Sequence, residues 1–440
     1  MMAYPEYKAT GLHWLPQIPK HWDWLFLSQI SEEQKIKNIA AKEKNVLSLS
    51  YGNIIRKKNL NGGLTPQDWA TYQIVFPGNI ILRLTDLQND HTSLRTGLVK
   101  EQGIITSAYT CVKTSHNSAF LHYLLHAYDI QKVFYGFGGG VRQSIGYKAL
   151  RNLCFPVPSP DEQAQIVRYL DAMTAKINKL IRAKKKQIAL LQEQKQAIIN
   201  QAVTKGLDPK VEMKDSGIDW LGKIPKHWKH CYVKNLGKFQ AGTNLTVEDL
   251  NDSGQYPVFG GNGIRGYYDR YAFDGDYLLI GRQGALCGNV HCFKGKFWPT
   301  EHAITVAVDS HFDFMWVYYL LSTMNLNQYS QAAAQPGISV DKIRNIKTVY
   351  VEHAEQAAIV THIQRQCSTQ EKAIQILENE LDALREYKNS LVSAVVTGKM
   401  DVRGLAIGDV LPEDMTINDE EAGEDVEEEM TEAEREGEVL

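Results

Sequence analysis

The longest regular hydrophobic pattern lies between Asp161 and Val203, a stretch without glycine or proline. Apolar residues there recur at alternating steps of three and four, which predicts a long helix with a coiled-coil seam. A second stretch has the same character, and we expect helices over 159–206 and 352–400. The predicted seam positions are Leu170, Met173, Ile177, Leu180, Lys184, Leu191 and Ile198, then Ile363, Gln370, Ala373, Leu377, Leu384, Tyr387 and Leu391.

The ends of the first helix carry recognisable signals. Ser159 suits the N-cap, Pro160 suits the first turn, and Glu162 would complete a capping box. Gly206 stands where a C-terminal glycine is preferred, whereas Glu352 is a poorer cap for the second helix.

Each helix would be a rod of about 65 Å. We expect the two rods to pair antiparallel and to fix a distance; the alternative is that each packs on its own domain.

The segments before the two helices alternate short β-rich runs with one helix. Runs such as NIILRL and DYLLIGR are broken by Gly, Asn and Pro, as strands are. AFLHYLLHAYDIQKVFY and FDFMWVYYLLSTMNLNQYS have apolar residues at helical spacing. Each segment therefore predicts a compact α+β domain of about 120 residues.

The chain also repeats itself. Residues 7–22 (YKATGLHWLPQIPKHW) and 213–228 (MKDSGIDWLGKIPKHW) share the sequence WL…IPKHW, and residues 145–165 share Arg-Asn and Glu-Gln-Ala with 338–358. The intervening residues 23–144 and 229–337 are unlike each other. Such a repeat predicts one scaffold, used twice with a pseudo-two-fold relation, carrying two different recognition surfaces.

Composition narrows the class of protein. The chain has 440 residues and 43% hydrophobic residues, without an apolar run long enough to span a membrane. Its start lacks the basic and apolar regions of a secretory signal, and its six dispersed cysteines favour free thiols in a reducing cytosol.

Residues 413–440 hold fourteen acidic residues and one basic residue, which predicts a disordered tail. The remaining residues carry 47 basic and 37 acidic side chains, a balance that suits a polyanion partner.

The repeated blocks carry a resemblance to a known family. Several blocks resemble segments of the specificity subunits of type I restriction–modification systems: GLHWLPQIPKHW, GIDWLGKIPKHW, the two EQA helix starts, and AVTKGLD at 202–208. Three blocks of residues 229–337 resemble a target-recognition domain of these subunits: YPVFGGNGIRGYYDRY, LLIGRQGALCGNV and FWPTEHAITV. The resemblance covers about residues 5–400. Pro16 in place of the second copy's Gly222, Glu352 in place of a Ser cap, and the acidic tail depart from the pattern.

The resemblance implies an α+β fold with two target-recognition domains separated by two conserved helices in an antiparallel coiled coil. We expect those domains over residues 1–158 and 207–351, the helices over 159–206 and 352–400, and the acidic tail, which lies outside the resemblance, over 401–440. The resemblance further implies a non-catalytic subunit, in the cytoplasm of a bacterium or archaeon. Each domain would recognise half of a bipartite double-stranded DNA target, and the helices would set the spacer. Two methyltransferase and two restriction/translocase subunits would bind S-adenosylmethionine, ATP and Mg, so this chain itself needs no cofactor.

Sequence signals for catalysis are weak. Neither NPPY nor DPPY, an element of adenine methyltransferases, occurs, and no GxxxxGK[ST] phosphate loop is present. Phe134–Gly138 (FYGFG) has the letters of a cofactor motif, but it follows a predicted helix, so we interpret it as a glycine-rich loop. Cys287, His291 and Cys292, and the pair His122 and His126, lack the spacing of a four-ligand zinc site. We predict neither a catalytic nor a metal site.

Candidate DNA contacts are the Arg, Lys, Asn and Gln side chains in the glycine-rich loops of the two domains. Arg pairs with guanine and Asn or Gln with adenine, while Lys and Arg also bind phosphates. The candidates are Arg56, Lys57, Lys58, Arg83, Gln88, Asn89, Arg95, Arg142 and Gln143, then Asn262, Arg265, Arg282, Gln283, Lys294, Lys296 and Gln335.

Two other functions stay open at this stage. An undetected fused methyltransferase would bind its cofactor without a partner, and a coiled-coil scaffold would bind only proteins. The unlike segments on a repeated scaffold favour the DNA-binding interpretation.

Overall fold

The computed structural model of the chain describes residues 3–405 except 51, 58–68, 86, 88–93, 138–144, 247–249, 252, 285 and 331–336. The predicted disorder of 413–440 lies outside these residues. The chain divides into two compact units of mixed helix and sheet. The first holds the described residues up to Lys185 and those from Asn379 on, and the second holds those of Lys186–Glu378.

The first unit contains several small sheets, of which the largest has the strand order β4-β11-β8-β9. The other strands of this unit form antiparallel pairs. Its strands are β1 Tyr7–Ala9, β2 Gln17–Pro19, β3 Asp23–Phe26, β4 Ser31–Gln34, β5 Leu47–Ser50, β6 Asn53–Arg56, β7 Gln73–Val75, β8 Ile80–Leu82, β9 Thr96–Leu98, β10 Gly103–Ile105, β11 Thr110–Thr114 and β12 Cys154–Val157. Its helices are α1 Leu27–Ile30, α2 Ser118–Ile130, α3 Tyr147–Leu150 and the first part of α4 Pro160–Lys205.

The second unit is built on one six-stranded sheet with the order β16-β21-β19-β20-β17-β18. Leu278 and Ile280 of this sheet and Trp316 and Leu320 of the helix α5 belong to one buried core. The strands are β13 Met213–Asp215, β14 Lys223–Pro225, β15 Lys229–Tyr232, β16 Gly237–Ala241, β17 Tyr256–Gly260, β18 Gly263–Tyr268, β19 Phe273–Gly281, β20 Val290–Pro299, β21 Ala303–Val308 and β22 Lys347–Tyr350. The helices are α5 Phe314–Thr323, α6 Val340–Arg344 and the first part of α7 His353–Val396.

The sequence repeat is a structural repeat, which we call the repeated frame: β1–β2, β3–β12 and the start of α4 in one unit, β13–β14, β15–β22 and the start of α7 in the other. Lys8 pairs with Ile18 in β1–β2, as Lys214 pairs with Ile224 in β13–β14. Strand β3 pairs with β12 as β15 pairs with β22. The segment between β3 and β12 in the first unit and the segment between β15 and β22 in the second, which we call the two middles, hold different sheets. The units therefore share a frame and differ in their middles.

A glutamate in the first turn of the long helix joins the elements of each frame. In the first unit, Nε1 of Trp22 donates to Oε1 of Glu162 at 3.0 Å, and Nε2 of His21 lies 3.0 Å from Oε2. Tyr4 adds a hydrogen bond from its hydroxyl to Glu162 at 2.8 Å. Burial, and then this bond, raises the pKa of Tyr4. The IPKHW block is therefore tied to the first turn of α4.

The second unit repeats this arrangement with Glu355. Nε1 of Trp228 donates to Oε1 of Glu355 at 3.1 Å, and Nε2 of His227 lies 2.9 Å from Oε2. Glu355 is more exposed than Glu162, with 28% of its side chain accessible against 5%. The two glutamate clusters thus share their chemistry and differ in burial.

The glutamine that follows each glutamate contacts the N-terminus of a helix in the middle of the same unit, α2 in the first and α5 in the second. Oε1 of Gln163 accepts from the backbone N–H of Asn117, the N-cap of α2, and Oε1 of Gln356 accepts from that of Asp313, the N-cap of α5. Both glutamines are buried. A Glu-Gln dipeptide at a helix start therefore joins the frame on one side and the variable middle on the other.

The predicted capping box of α4 is wrong in its second half. Ser159 Oγ does accept from the backbone N–H of Glu162, at 3.4 Å. The Glu162 side chain bonds Tyr4, His21 and Trp22 instead of returning to the backbone of Ser159. Three tertiary donors outcompete one local donor for the carboxylate. The predicted glycine end is present, because Gly206 has φ +72°.

The inner face of α4 departs from the predicted seam at Leu180, which is 51% exposed. Ile181 lies against the core in its place, because the inner position follows Ile177 by four residues instead of three. Tyr387 of α7 is likewise exposed, and Lys388 is half-buried. The other predicted positions are buried or half-buried: Leu170, Met173, Ile177, Lys184, Leu191, Ile198, Ile363, Gln370, Ala373, Leu377, Leu384 and Leu391.

We predict that Glu162→Ala lowers the free energy of unfolding by about 3 kcal/mol, because the buried donors of Trp22 and Tyr4 each lose their acceptor. Glu355→Ala should cost less, because its site admits water. Urea unfolding followed by tryptophan fluorescence measures both. Glu212→Ala, which breaks the exposed ion pair with Lys226, is the control and should change little. An equal loss for Glu162→Ala and Glu212→Ala would contradict the role of burial.

Candidate nucleic-acid interface

Three loops of the second unit meet at one end of its six-stranded sheet: the turn Gly261–Asn262, the loop residues 282–284 and 286–289, and the turn 300–302. A backbone hydrogen bond from Arg282 N to His302 O at 2.8 Å joins the second of these to the third, and one from Thr300 N to Phe259 O at 2.8 Å joins the turn 300–302 to strand β17, just before Gly261. The turn between β17 and β18 has only two residues, as Gly260 pairs with Gly263. The loops form one surface, which we call the loop cluster.

Glycines let the backbones of the loop cluster touch. A Cβ on Gly281 would lie 2.0 Å from the carbonyl oxygen of Gly261, and one on Gly261 would lie 2.8 Å from that of Gln283. Gly288 has φ +93°, and its Cβ would lie 2.5 Å from the backbone nitrogen of Asn327. Larger residues would force the loops apart, so the side chains here stand on a closely packed base.

The loop cluster brings together three of the predicted DNA contacts. Asn262 and Gln283 are exposed, and Arg282 is half-buried, with Nη1 donating to the carbonyl of Glu301 at 3.3 Å. Arg265 is exposed on β18, three residues after Asn262. These side chains supply donors and acceptors on one surface, and Arg is the cation among them.

Two residues of the loop cluster were absent from the sequence prediction. Nδ2 of Asn289 donates to Oδ1 of Asn262 at 3.0 Å. Glu301 lies 3.2 Å from Nε2 of His302, and its other carboxylate oxygen is buried without a hydrogen-bond partner among the described residues. The family-like block GALCGNV contains Asn289, but only the loop packing shows that it meets Asn262.

Lys294 and Lys296 lie apart from the loop cluster, farther along β20 and opposite the acidic residues of β19. Nζ of Lys294 is 2.8 Å from Asp276, and the hydrogen bond between them raises the pKa of Lys294. Lys296 lies over the ring of Tyr271 at 4.6 Å. Both lysines are exposed. A lysine ammonium is a point charge without the planar pair of donors that arginine offers, so these side chains suit phosphates better than base edges.

The first unit has a basic groove lined by Lys44, Asn45, Val46, Arg56 and Lys57. Arg56 is exposed and pairs with Glu101 at 2.7 Å. The backbone N–H of Asn45, together with other donors, lowers the pKa of Glu43 beside the groove. The structure thus joins the predicted Arg56 and Lys57 to Lys44 and Asn45, which the sequence prediction missed.

Arg95 is wrong as a DNA contact. Its side chain is 5% exposed, and Nη1 donates to the carbonyls of Arg83 and Thr85. Its backbone N–H donates to the buried Asp129 at 2.7 Å. A guanidinium held by two carbonyls in the interior shapes the loop and does not meet a duplex. Arg83 itself is exposed. The remaining predicted contacts lie outside the described residues: Lys58, Gln88, Asn89, Arg142, Gln143 and Gln335.

Two residues from the segments that resemble catalytic or metal motifs lie in the hydrophobic cores. Phe134, of the FYGFG segment, is fully buried in the core of the first unit, and Cys287 is buried in that of the second. Among the residues that the structure describes, no three His, Cys, Asp or Glu side chains are grouped as metal ligands. Within the same residues, no helix combines the length and the apolar character of a membrane span.

Comparison with known proteins gives the family. The model of the type I restriction modification DNA specificity domain matches residues 70–190 and 225–381, more than half of the chain. The chain therefore belongs to this family of type I specificity proteins.

Two individual proteins are similar to the chain. The type I restriction enzyme EcoprrI specificity subunit of Escherichia coli is 44% identical over 137 residues, which are 30% of this chain and 34% of that protein. The match thus spans about a third of that relative. A solved chain described as "Structural basis underlying complex assembly and conformational transition of the type I R-M system" has a TM-score of 0.61 and 13% identity. It covers 87% of this chain and 99% of its own length, so the two share a fold.

We predict that Gly281→Ala destabilises the protein by about 2 kcal/mol, because its Cβ would overlap the Gly261 carbonyl. Gly260→Ala is the matched control: its Cβ would be 3.5 Å from the nearest atom, in Arg265. Thermal unfolding of both variants measures the difference. Equal melting temperatures for the two would mean that the loops are not closely packed.

Proposed function

We propose that the chain is the DNA-specificity subunit of a type I restriction–modification complex, in which each middle recognises one half of a bipartite target. The observation that carries this proposal is the repeated frame with two unlike middles. A frame used twice supplies two attachment points of the same kind, while different sheets and loops supply two different surfaces. The family match, which covers residues 70–190 and 225–381, supports it.

The proposed DNA surfaces combine loop residues of both units. In the first they are Arg56, Lys57 and Arg83, and in the second Asn262, Arg265, Arg282 and Gln283, with Lys294 and Lys296 on phosphates. Lys58, Gln88, Arg142, Gln143 and Gln335 are proposed from the sequence alone. The side-chain chemistry of the proposed arginines, asparagines and glutamines supports these surfaces, because forked donors and amides are the groups that distinguish base pairs in the major groove.

The two long helices are proposed to pair as an antiparallel coiled coil that sets the spacer. Within the first unit, Lys184 of α4 contacts Glu380 of α7, and Asn178 contacts Lys388. Within the second, Lys195 contacts Glu371. Residue numbers rise along one helix as they fall along the other, as in an antiparallel pair. The domain boundaries implied by the sequence are part of this proposal.

The proposal assigns the chemistry to partner subunits. The chain would carry no catalytic activity and would recruit two methyltransferase and two restriction/translocase subunits, which bind S-adenosylmethionine, ATP and Mg. A cytoplasmic location follows, because the DNA substrate is there. The buried Phe134 supports this division, since the first residue of the FYGFG segment packs in the core of the first unit.

Methylation mapping tests the function. We expect co-expression of the chain with its methyltransferase partner to yield methylated adenines in a single split motif with two unlike halves. Genome-wide sequencing of modified adenines measures this, and a strain without the chain is the control. A palindromic or continuous motif, or methylation that persists without the chain, would overturn the proposal.

Helix length tests the spacer. Four residues inserted at equivalent points of α4 and α7 add about 6 Å of helix. The unrecognised gap should grow by about one to two base pairs, while both half-sites stay the same. The control replaces four exposed helix residues with alanine without changing the length. An unchanged gap after insertion, with methylation retained, would rule out the helices as the spacer.

A further inference from the structure

The chemical composition of the loop cluster separates it from a phosphate-binding surface. Phosphate binding draws on cations, whereas base edges need donors and acceptors in fixed positions. Arg282 and Glu301 carry opposite charges, Arg265 on β18 adds one exposed cation, and the remaining polar groups include the amides of Asn262, Gln283 and Asn289. Glu301 also keeps a buried oxygen without a partner among the described residues. Such a surface offers more directional donors and acceptors to a base edge than cations to a phosphate.

The amides of Asn262 and Asn289 are oriented by each other. Asn289 donates to Oδ1 of Asn262, and no other hydrogen bond to the Asn262 side chain occurs within the described part of the chain. Both residues are exposed. Oδ1 has a second lone pair, so Asn262 still offers one acceptor and two donors. Adenine presents N6 as donor and N7 as acceptor in the major groove, which an oriented amide matches with two bonds.

The backbone beneath the two asparagines is closely packed. Gly261 precedes Asn262 in a two-residue turn and rests on Gln283 and Gly281, while the backbone carbonyl of Asn289 accepts from Gly281 N at 2.9 Å. The two asparagines therefore stand on loops that share one backbone contact. Their mutual orientation does not depend on DNA, which lowers the entropic cost of binding.

We propose that Asn262 recognises an adenine in the half-site bound by the second unit, and that Asn289 is its positioning residue. The proposal rests on the proposed function and adds the base and the residue pair. Asn289 acts through Asn262, and it does so by fixing which face of the amide carries the acceptor.

The test compares variants of the full chain on duplexes built on the split motif, with every position of both halves varied in turn. We expect Asn262→Ala to lose its preference for adenine at one position of one half-site, by about tenfold to a hundredfold, with the other half unchanged. Asn289→Ala should weaken the preference at the same position by less. Asn289→Asp cannot donate to Oδ1, so it should turn the Asn262 amide and alter the preferred base there.

Asn251→Ala is the matched control, since Asn251 is an exposed asparagine that bridges to Tyr267 at the other end of the hairpin. It should leave both half-sites unchanged. An unaltered motif with Asn262→Ala would overturn the assignment and leave the proposed function intact. A uniform loss of affinity with Asn289→Ala, without a change of preference, would reduce Asn289 to a structural residue and overturn its positioning role. If the unmodified chain retained no split duplex, the proposed function and this inference would both fail.

Discussion

A glutamate carboxylate that accepts from a tryptophan and a histidine is the interaction on which each unit depends. Glu162 meets Trp22 and His21 across about 140 positions of the chain, and Glu355 meets Trp228 and His227 in the same way. A buried carboxylate is tolerated only when donors surround it. The start of each long helix is therefore attached to the IPKHW block of its unit, and the hairpin and strand pair of the frame follow from that attachment.

The frame explains how the middles are free to differ. Gln163 and Gln356 each accept from the backbone N–H of the N-cap residue of one helix in the middle of their unit. That contact uses main-chain atoms, so it places no demand on the side chains of the sheet beyond it. The first middle has small sheets and a basic groove, and the second has a six-stranded sheet and the loop cluster. Different surfaces can thus be presented by the same attachment.

Much of this organisation was predictable because it is local. The helices were predicted over 159–206 and 352–400 and run Pro160–Lys205 and His353–Val396, since a period of 3.6 and the absence of glycine and proline are readable without tertiary structure. Leu180 shows the limit. A step of three or four is nearly equivalent in a helix, and only the packing of Ile181 against the core selects between them. Arg95 shows another limit, because an arginine in a polar loop looks the same whether it faces solvent or carbonyls.

The sequence by itself determined the repeat, the long helices, the unlike middles and the family, because each is written in residue identity or short-range spacing. Tertiary structure decided which polar groups meet. It directed Glu162 to Trp22 instead of its own helix cap, buried Arg95, and brought Asn289 to Asn262. These pairings join residues distant along the chain, and they depend on backbone approaches that glycines such as Gly261 and Gly281 permit. Spacing along the chain does not encode such approaches, because the loops between the residues set the geometry.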